Sequence, residues 1–546
     1  MRKSVAFLLL IVSLSCFGGG GGYCLIHRIF GVESEKLEAA MAAHAEVFGD
    51  GLILAAFNQL AIGPAEAKDF TNQCAFVKRM QGRGVDMQIC LSSTIGHTDD
   101  WTVPGGWPTM VGSDGRVAKA VACPRAAKFR EYLCATARKY AGLKPSVIWL
   151  DDDFRMSNHL PIDHGCFCET CLARFGAETG IVCDRAGLKK ALLEDKTVNG
   201  KRVREAWRDY NRRALTELAG AVADAVHAVD DSIAIGFMVC NLRGQLYASP
   251  DFKAWIERVR NRDGAVWFRP GSGVYDDYAP YGIVEKNIEI ARLVAATEGA
   301  GIVNVTEEVT CPYTRRTKSM RMTFLELALN LGLAGADGTT FDAIKPNLDE
   351  QLKSDSVVAE INRRHPELDR MHALICGKRQ IGIAAPALPD GKFVEGPVKT
   401  LNAMCPAGEE MWRKLVYLGI PFTFRAQFAA AKLPADISCG DPLAFARGEE
   451  IKDELDRLCG GRMPSRLDSV LRMGQSVWES PDGKERVVFL FNLDYDDAAD
   501  VKLRENGEYS AEVLRPDGSW QSLGDDDEFV LSTIPAWSVR VLRLKK

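Results

Sequence analysis

The stretch from Ser146 to Arg155 reads Ser-Val-Ile-Trp-Leu-Asp-Asp-Asp-Phe-Arg. Its first half is a short apolar run, which predicts a buried strand over Ser146–Leu150. Three carboxylates, Asp151 to Asp153, follow that strand directly. The stretch therefore predicts a core strand with acidic groups at its carboxyl end, the edge at which barrel enzymes of the α/β class place their functional groups.

The same alternation of apolar runs and amphipathic helices extends over residues 25–360. One helical pattern places Val203, Trp207 and Tyr210 on one face at steps of three and four residues. Alternating strands and helices imply an α/β fold with a parallel sheet. An early strand, Leu25–Phe30, precedes seven further predicted strands: Gly51–Phe57, Met87–Ser93, Ser146–Leu150, Ser232–Val239, Ala265–Arg269, Ile302–Thr306 and Gly338–Phe341. This number favours a (β/α)8 TIM barrel over an open sheet, although periodicity alone does not separate the two folds.

Two smaller domains are predicted after the barrel. Residues 361–465 contain one strand, Gln380–Ala385, and two helices, Met411–Leu418 and Gly448–Leu458, which indicate a small α/β domain. From residue 466 the pattern changes to alternating apolar and polar residues with frequent turn signals. This predicts a C-terminal antiparallel β domain, a β-sandwich over 466–546.

Residues 1–24 have the features of a signal peptide followed by a glycine-rich tether. Two cations precede the apolar run Val5–Leu14, which is shorter than the about 20 residues of a membrane-spanning helix. Cys16, followed by Gly18–Gly22, resembles a bacterial lipoprotein processing site and is the predicted lipidation residue. Ordinary signal-peptide cleavage nearby is the alternative. Either way we expect an exported protein, a cell-envelope lipoprotein or a periplasmic one, which touches a membrane only through such an anchor.

The composition excludes several classes of protein. With 546 residues, 47% of them hydrophobic and 26% charged, the chain suggests two to four globular domains. A disordered chain and a small disulfide-stapled fold are both excluded. The 68 cationic and 73 anionic residues give a net charge of −5 and are interspersed along the chain, which argues against a nucleic-acid partner.

Three closely spaced cysteines predict a metal site. Cys166, Cys168 and Cys171 form a Cys-x-Cys-x-x-Cys pattern, which can turn three thiolates onto one tetrahedral zinc ion. A closed structural site needs a fourth ligand. Buried free thiols or disulfides are the alternative in an exported protein.

Carboxylates at the ends of two strands predict a catalytic pair. Adjacent carboxylates such as Asp152 and Asp153 repel each other, and partial burial raises the pKa of at least one, which suits a general acid. Glu307 and Glu308 end another strand. A retaining glycosidase needs two carboxyl groups about 5–5.5 Å apart, so we assign Asp153 as acid/base and Glu307 as nucleophile, with Asp152 and Glu308 as further catalytic candidates. A solvated acidic loop or a helix N-terminus is the alternative for the aspartate triplet.

Several polar and aromatic residues near strand ends are candidate sugar contacts. They are His97, Asp99, Trp149, Arg155, Asn241, Arg269 and Tyr275, with Asp342, Trp101 and Trp267 as further candidates. Sugars are held by hydrogen bonds and by aromatic faces, which these side chains supply. Each is also compatible with a purely structural role, and Arg155 also suits neutralisation of the aspartate triplet.

Three segments resemble the β-galactosidases of glycoside hydrolase family 42: Trp149-Leu-Asp-Asp-Asp153, Cys166-Phe-Cys-Glu-Thr-Cys171 and Ala173-Arg-Phe175. The resemblance implies a structural zinc ion with Cys123 as its fourth ligand, an oligo- or polysaccharide substrate, the three-part domain layout and a homotrimer. The chain departs from the family at Asp152-Asp153, where the family has Asn-Glu, and in the residues after Glu307. These departures place the chain as a divergent relative in the same clan, and galactose specificity is not carried over.

The leading hypothesis is an exported retaining glycoside hydrolase, an O-glycosidase of the β-glycosidase type. A second hypothesis makes the aspartate triplet, with His97 or His159, the site of a metal-dependent hydrolase. A third is a non-catalytic glycan-binding lipoprotein on a degenerate barrel.

Overall fold

The computed structural model describes residues 22–30, 53–59, 67–96, 106–158, 160–240, 251–274, 277–308, 318–344, 348–387, 409–425, 448–458 and 463–546. The predicted signal peptide and the lipidation residue Cys16 lie outside the described residues. In the part of the chain that is described, no helix is both long and apolar enough to cross a membrane.

Eight parallel strands close into a barrel. They are β1 (Cys24–Phe30), β2 (Ile53–Gln59), β3 (Asp86–Ser92), β6 (Val147–Leu150), β7 (Ala234–Val239), β8 (Val266–Pro270), β9 (Val303–Glu308) and β10 (Gly338–Ile344), and a hairpin of β4 (Thr109–Val111) and β5 (Val117–Ala122) lies between β3 and β6. Neighbours in the barrel follow chain order, and the first strand closes onto the last through the pair Leu25 and Thr339. The predicted (β/α)8 TIM barrel is confirmed, with all eight predicted strands close to their observed positions.

Helices surround the barrel, most of them with one apolar face turned inward. They are α1 (Ala67–Gly82), α2 (Ala127–Ala141), α3 (Glu169–Thr179), α4 (Arg185–Leu193), α5 (Val198–His227), α6 (Phe252–Val259), α7 (Pro280–Ala296), α8 (Met320–Leu329) and α9 (Leu348–Ile375). The stripe predicted on α5 is fully buried at Trp207 and Tyr210. The domain boundary predicted at residue 360 falls inside α9.

The interior of the barrel is filled by large side chains. Trp149 is fully buried, donates its indole N–H to the side-chain oxygen of Gln88 at 2.8 Å and meets Trp267 edge-on at 6.0 Å. Gly236 on the neighbouring strand makes room for it, since a Cβ there would lie 2.3 Å from the indole ring. Trp149 therefore has no exposed face for a sugar, and its predicted substrate contact is wrong. Because side chains alternate between the two faces of a strand, Trp149 on β6 points into the barrel core.

A glycine divides the strand predicted after α9 into two shorter strands. The predicted strand Gln380–Ala385 is two strands, β11 (Arg379–Ile381) and β12 (Ile383–Pro386), which belong to different sheets. Gly382 between them has a φ of +147°, and a Cβ there would lie 2.4 Å from the carbonyl oxygen of Pro421. β12 pairs in parallel with β13 (Phe422–Arg425), and the predicted helices are present as α10 (Glu409–Tyr417) and α11 (Gly448–Leu458).

The C-terminal strands form one antiparallel sheet that also includes β11. They are β14 (Ser465–Asp468), β15 (Met473–Glu479), β16 (Glu485–Asn492), β17 (Val501–Leu514), β18 (Trp520–Leu531) and β19 (Ser538–Lys545). The antiparallel β domain is thus confirmed, but its strands make a single hydrogen-bonded sheet rather than the two sheets of a sandwich. Val488 and Leu490 face the domain's own core, whereas Phe489 and Phe491 on the opposite face join the core that includes the barrel helices. Phe491 packs against Gly332 in the π-helical turn Asn330–Ala334 that follows α8, where a Cβ would lie 2.6 Å from its ring.

Candidate active site and cysteine cluster

Glu307 lies at the carboxyl end of β9, inside the mouth of the barrel. Val303 and Val305 on the same strand belong to the barrel's inner core, so the next residue of that alternation also points inward. The Glu307 side chain is buried and forms ion pairs with two arginines. Its Oε1 lies 2.5 Å from Nη1 of Arg269 and 3.6 Å from Nη1 of Arg28.

These cations keep Glu307 ionised. Burial alone would raise its pKa, but Arg269, Lys286 and Arg28 together bring the pKa below its ordinary value. Gly271 after β8 leaves space for this carboxylate, because a Cβ at that position would lie 2.3 Å from Oε2 of Glu307. The result is a desolvated, ionised carboxylate, the state that a carboxylate nucleophile needs.

Asp152 is the carboxyl group whose charge interacts with Glu307 across the site. It is half-buried just beyond β6. Burial raises its pKa, and the negative charges of Asp151 and Glu307 add to that effect, against the opposing charges of Arg155 and Arg269. The pKa values of the two groups are therefore displaced in opposite directions, upward at Asp152 and downward at Glu307.

Asp153, the predicted acid/base, has a different position. It is fully buried, and its carboxylate accepts hydrogen bonds from three backbone N–H groups, those of Thr94 at 2.9 Å, Ile95 at 2.8 Å and Gly96 at 2.6 Å. Burial and the neighbouring carboxylates raise its pKa, while the hydrogen bond from the N–H of Ile95 and the charge of Arg155 oppose that shift. Because its oxygens hold the loop after β3, this geometry does not suit proton donation to a substrate.

Asp151 holds the same loop from the other side of the triplet. One of its oxygens accepts from the N–H of Ser93 at 2.8 Å and the other from the N–H of Asp152 at 2.9 Å. The triplet is therefore divided: two carboxylates fasten the loop after β3, and the one between them interacts with Glu307.

The two arginines predicted as sugar contacts are buried against protein groups. Arg269 is 1% exposed and ion-paired with Glu307. Arg155 donates to Sγ of Cys240 at the end of β7, and its charge acts on Asp152. The structure thus places Arg155 where it neutralises the triplet, the alternative role weighed for it.

Sequence reasoning missed Arg28, Cys240 and Lys286. Arg28 had a readable signal, since it is a cation inside a predicted strand whose other residues, apart from His27, are apolar. Lys286 had none, because its burial results from helix packing. Its Nζ lies 2.7 Å from Glu326 on α8, which also pairs with Lys318, and all three side chains are fully buried.

Part of the predicted site lies outside the described residues. These positions are His97, Asp99, Trp101, His159, Asn241 and Tyr275. The side chains of Glu308 and Asp342, inside β9 and β10, are likewise not described. Trp267, 4% exposed, belongs with Trp149 to the barrel core rather than to a sugar platform.

The four predicted cysteines converge on one point. Sγ of Cys123, just after β5, lies 3.6 Å from that of Cys171, 3.8 Å from that of Cys166 and 4.0 Å from that of Cys168. Four thiolates about 2.3 Å from one tetrahedral ion lie roughly 3.8 Å apart, so the cluster could hold a metal ion. These distances exclude a disulfide to Cys123, since an S–S bond is about 2.05 Å long, and the other three cysteines are also free thiols.

The cluster ties two insertions of the barrel together. One is the β4–β5 hairpin, which supplies Cys123; the other follows the aspartate triplet and supplies the remaining three cysteines. The N–H of Phe167 also donates to the carbonyl of Val111 in the hairpin at 2.7 Å. A metal ion bound by these four cysteines would therefore connect the two insertions.

No family model matches the sequence, and no curated protein is significantly similar to it. Solved structures with the same fold include a β-galactosidase from Bacillus circulans sp. alkalophilus, with 12% identity and a TM-score of 0.67 over 96% of this chain and 99% of that one. Gan42B, a GH42 β-galactosidase from G. stearothermophilus, has 9% identity and a TM-score of 0.65 over 97% and 99%. An α-L-fucosidase isoenzyme 2 from Paenibacillus thiaminolyticus has 9% identity and a TM-score of 0.61 over 96% and 99%.

Proposed function

We propose that this chain is a retaining β-glycosidase in which Glu307 is the nucleophile and Asp152 the acid/base. The fold that it shares with the glycoside hydrolases above supports the reaction class, at identities that establish the fold alone. The observation that carries the assignment is the opposite displacement of two pKa values in one barrel mouth, lowered at Glu307 and raised at Asp152. Carboxyl groups separated in this way are the mark of a nucleophile and an acid.

The reaction follows from these two states. Ionised Glu307 attacks the anomeric carbon and forms a glycosyl ester, while protonated Asp152 gives its proton to the departing glycosidic oxygen. Asp152, now a carboxylate, then removes a proton from a water molecule that cleaves the ester and releases Glu307. Arg269 and Arg28 hold the nucleophile ionised and oriented throughout.

We further propose that the ion of the cysteine cluster is zinc with a structural role. Four sulfur ligands leave no open position for substrate or water, so zinc here would fix the two insertions beside the barrel mouth. Export through the N-terminal leader and lipidation at Cys16 complete the proposal, as does an oligo- or polysaccharide substrate outside the cytoplasm.

The metal-dependent hydrolase is less well supported. Asp151 and Asp153 direct their oxygens to backbone N–H groups of the loop after β3 rather than to a common point. Among the described residues, the cysteine cluster is the only group with metal-ligand spacing. Activity lost on mild chelation and regained with a divalent metal would favour this hydrolase over the glycosidase.

A mechanism-based fluorosugar tests the proposed function. The mature protein is first assayed on a panel of nitrophenyl glycosides, beginning with β-galactosides, and then incubated with the 2-fluoro analogue of the best substrate. We expect a covalent adduct on Glu307, identified by peptide mass spectrometry and absent from Glu307→Gln. An active Glu307→Gln protein would overturn the assignment. Saccharide binding without turnover or labelling would indicate the non-catalytic glycan-binding protein instead.

A further inference from the structure

A cavity of about 390 Å³ lies between the barrel and the C-terminal sheet. Its walls are α8, α9 and the ends of two strands that part from each other. β17 and β19 are paired as far as Val513 and Leu542, and the segments just beyond, 514–516 and 538–541, line the cavity. The opening is thus a built feature of the sheet at a domain interface, where ligand sites often occur.

The acidic side chains in its wall are already neutralised. Glu367 receives a two-pronged contact from Arg364, at 3.2 and 2.9 Å. Glu360 receives the same kind of contact from Arg363, which lies outside the wall, at 2.7 and 2.6 Å. Glu360 and Glu367 are therefore already ion-paired and do not neutralise the other arginines of the cavity wall.

Three more arginines in the wall form no close ion pair among the described residues, although the charge of Arg515 acts on the nearby carboxylate of Asp517. Arg515 donates to the amide oxygen of Gln521 at 3.2 and 3.0 Å, and Arg540 donates to the carbonyl of Thr533 at 3.2 Å. Arg321 is exposed and forms no ion pair in the described structure. Nε of Arg540 is buried without a hydrogen-bond partner in that same part of the chain. The cavity therefore presents an excess of positive charge.

The rest of the wall is apolar and locally strained. Phe324 carries the guanidinium of Arg364 over its ring, 3.2 Å from the centroid. Trp537 has a φ of +49°, an unfavourable backbone conformation for a large side chain, and is held there by the rings of Tyr281 and Tyr495 at 5.4 and 5.2 Å. Strain of this kind persists where surrounding structure enforces it, often at binding sites.

We propose that this cavity is a second saccharide site that binds a sugar unit bearing a carboxylate. Guanidinium groups recognise carboxylates through paired, charge-assisted hydrogen bonds, and the apolar wall suits the C–H faces of a sugar ring. The volume lies within the range of small-molecule sites, about 300–1,000 Å³. The choice of a saccharide rests on the proposed glycosidase function. The need for an anion follows from Arg321 and Arg540, which form no ion pair among the described residues.

Calorimetry with an acidic disaccharide tests the site. The full mature chain carrying Glu307→Gln, which prevents turnover, is titrated with digalacturonate and with its neutral methyl ester. We expect binding of the acid alone, weakened by added salt because the contacts are ionic. Arg540→Gln and Arg321→Gln should each weaken it about tenfold or more, the usual effect of removing a charged hydrogen bond. Arg202→Gln, an exposed arginine of α5, is the matched control and should leave the affinity unchanged.

Three results would overturn the proposal: equal affinity for the acid and its ester, unchanged affinity in both Arg540→Gln and Arg321→Gln, or competition by inorganic sulfate at the same concentration as the disaccharide. Because Arg321 is exposed, its variant reports on binding even if Arg540→Gln unfolds the protein. The readout is independent of catalysis. Binding without hydrolysis of any glycoside would count against the glycosidase alone, and hydrolysis without binding against the second site alone.

Discussion

The guanidinium of Arg269 lies 2.5 Å from the carboxylate of Glu307, and both side chains are almost completely withdrawn from water. A charge pair in such surroundings controls the protonation of its acid. We expect Arg269→Met to raise the pKa of Glu307, so the acidic limb of the kcat/KM profile should move to higher pH. On the acidic side, kcat/KM should fall roughly tenfold or more.

Arg269→Lys is the matched control, because it keeps the charge but loses the planar contact. It should lie between wild type and Arg269→Met in the position of the acidic limb. An acidic limb that stays in place in Arg269→Met would show that Glu307 does not govern it.

Asp152 and Asp153 are distinguished by their response to the leaving group. Asp152→Asn removes the proposed proton donor, so we expect a loss of about 10²–10⁴-fold on substrates with poor leaving groups. Dinitrophenyl glycosides need no protonation and should retain most of their glycosylation rate. The basic limb of the pH profile, set by the raised pKa of Asp152, should disappear.

Asp153→Asn should affect stability instead. An amide cannot accept all three loop N–H bonds, so we expect a loss of about 1–3 kcal/mol in the free energy of unfolding, measured by denaturant titration. Its dependence on the leaving group should match wild type. A strong leaving-group dependence in Asp153→Asn, with none in Asp152→Asn, would return the acid/base role to Asp153.

Asp152 and Asp153 also show at which point the sequence no longer predicts the direction of a side chain. The strand before them was predictable from its apolar run, and alternation correctly turns Glu307 inward on β9. Beyond the last residue of a strand, however, side-chain direction depends on the loop that the chain meets. The N–H groups of residues 94–96 come from a distant part of the sequence, and no pattern around Asp153 announces them.

The same reason explains the other differences. The four cysteines were found because three have the spacing of metal ligands and the fourth came with the family resemblance. The division of Gln380–Ala385 at Gly382 was missed because its apolar pattern is continuous, whereas the close approach of Pro421 is tertiary. Lys286 acts on Glu307 from helix α7, and no sequence pattern indicates this because its burial results from the packing of the helices.

Removal of one cysteine ligand should abolish metal binding. We expect Cys123→Ser to lose the zinc measured by elemental analysis of the purified protein and to melt at lower temperature, since the metal connection between the two insertions is lost. Cys376→Ser, at an exposed cysteine outside the cluster, is the control and should keep the metal. Full metal content in Cys123→Ser would contradict the assigned ligand set.

The C-terminal sheet contains a carboxyl group that should make stability depend on pH. Burial raises the pKa of Glu505 to about 7, despite its hydrogen bond from Arg486 at 2.7 Å. Because the folded state then binds the proton more tightly than the unfolded one, this contribution is complete below about pH 4.5 and is lost as the pH rises towards 7. The loss amounts to about 3 kcal/mol.

Glu505→Gln keeps an acceptor for Arg486 without the charge. When the melting temperatures are measured from pH 4.5 to 8, that of Glu505→Gln should therefore rise relative to that of wild type as the pH increases. Glu512 lies on the same strand, β17, and is paired with Arg543 of β19, so Glu512→Gln should give no such gain. A constant difference between Glu505→Gln and wild type would show that Glu505 is ionised throughout.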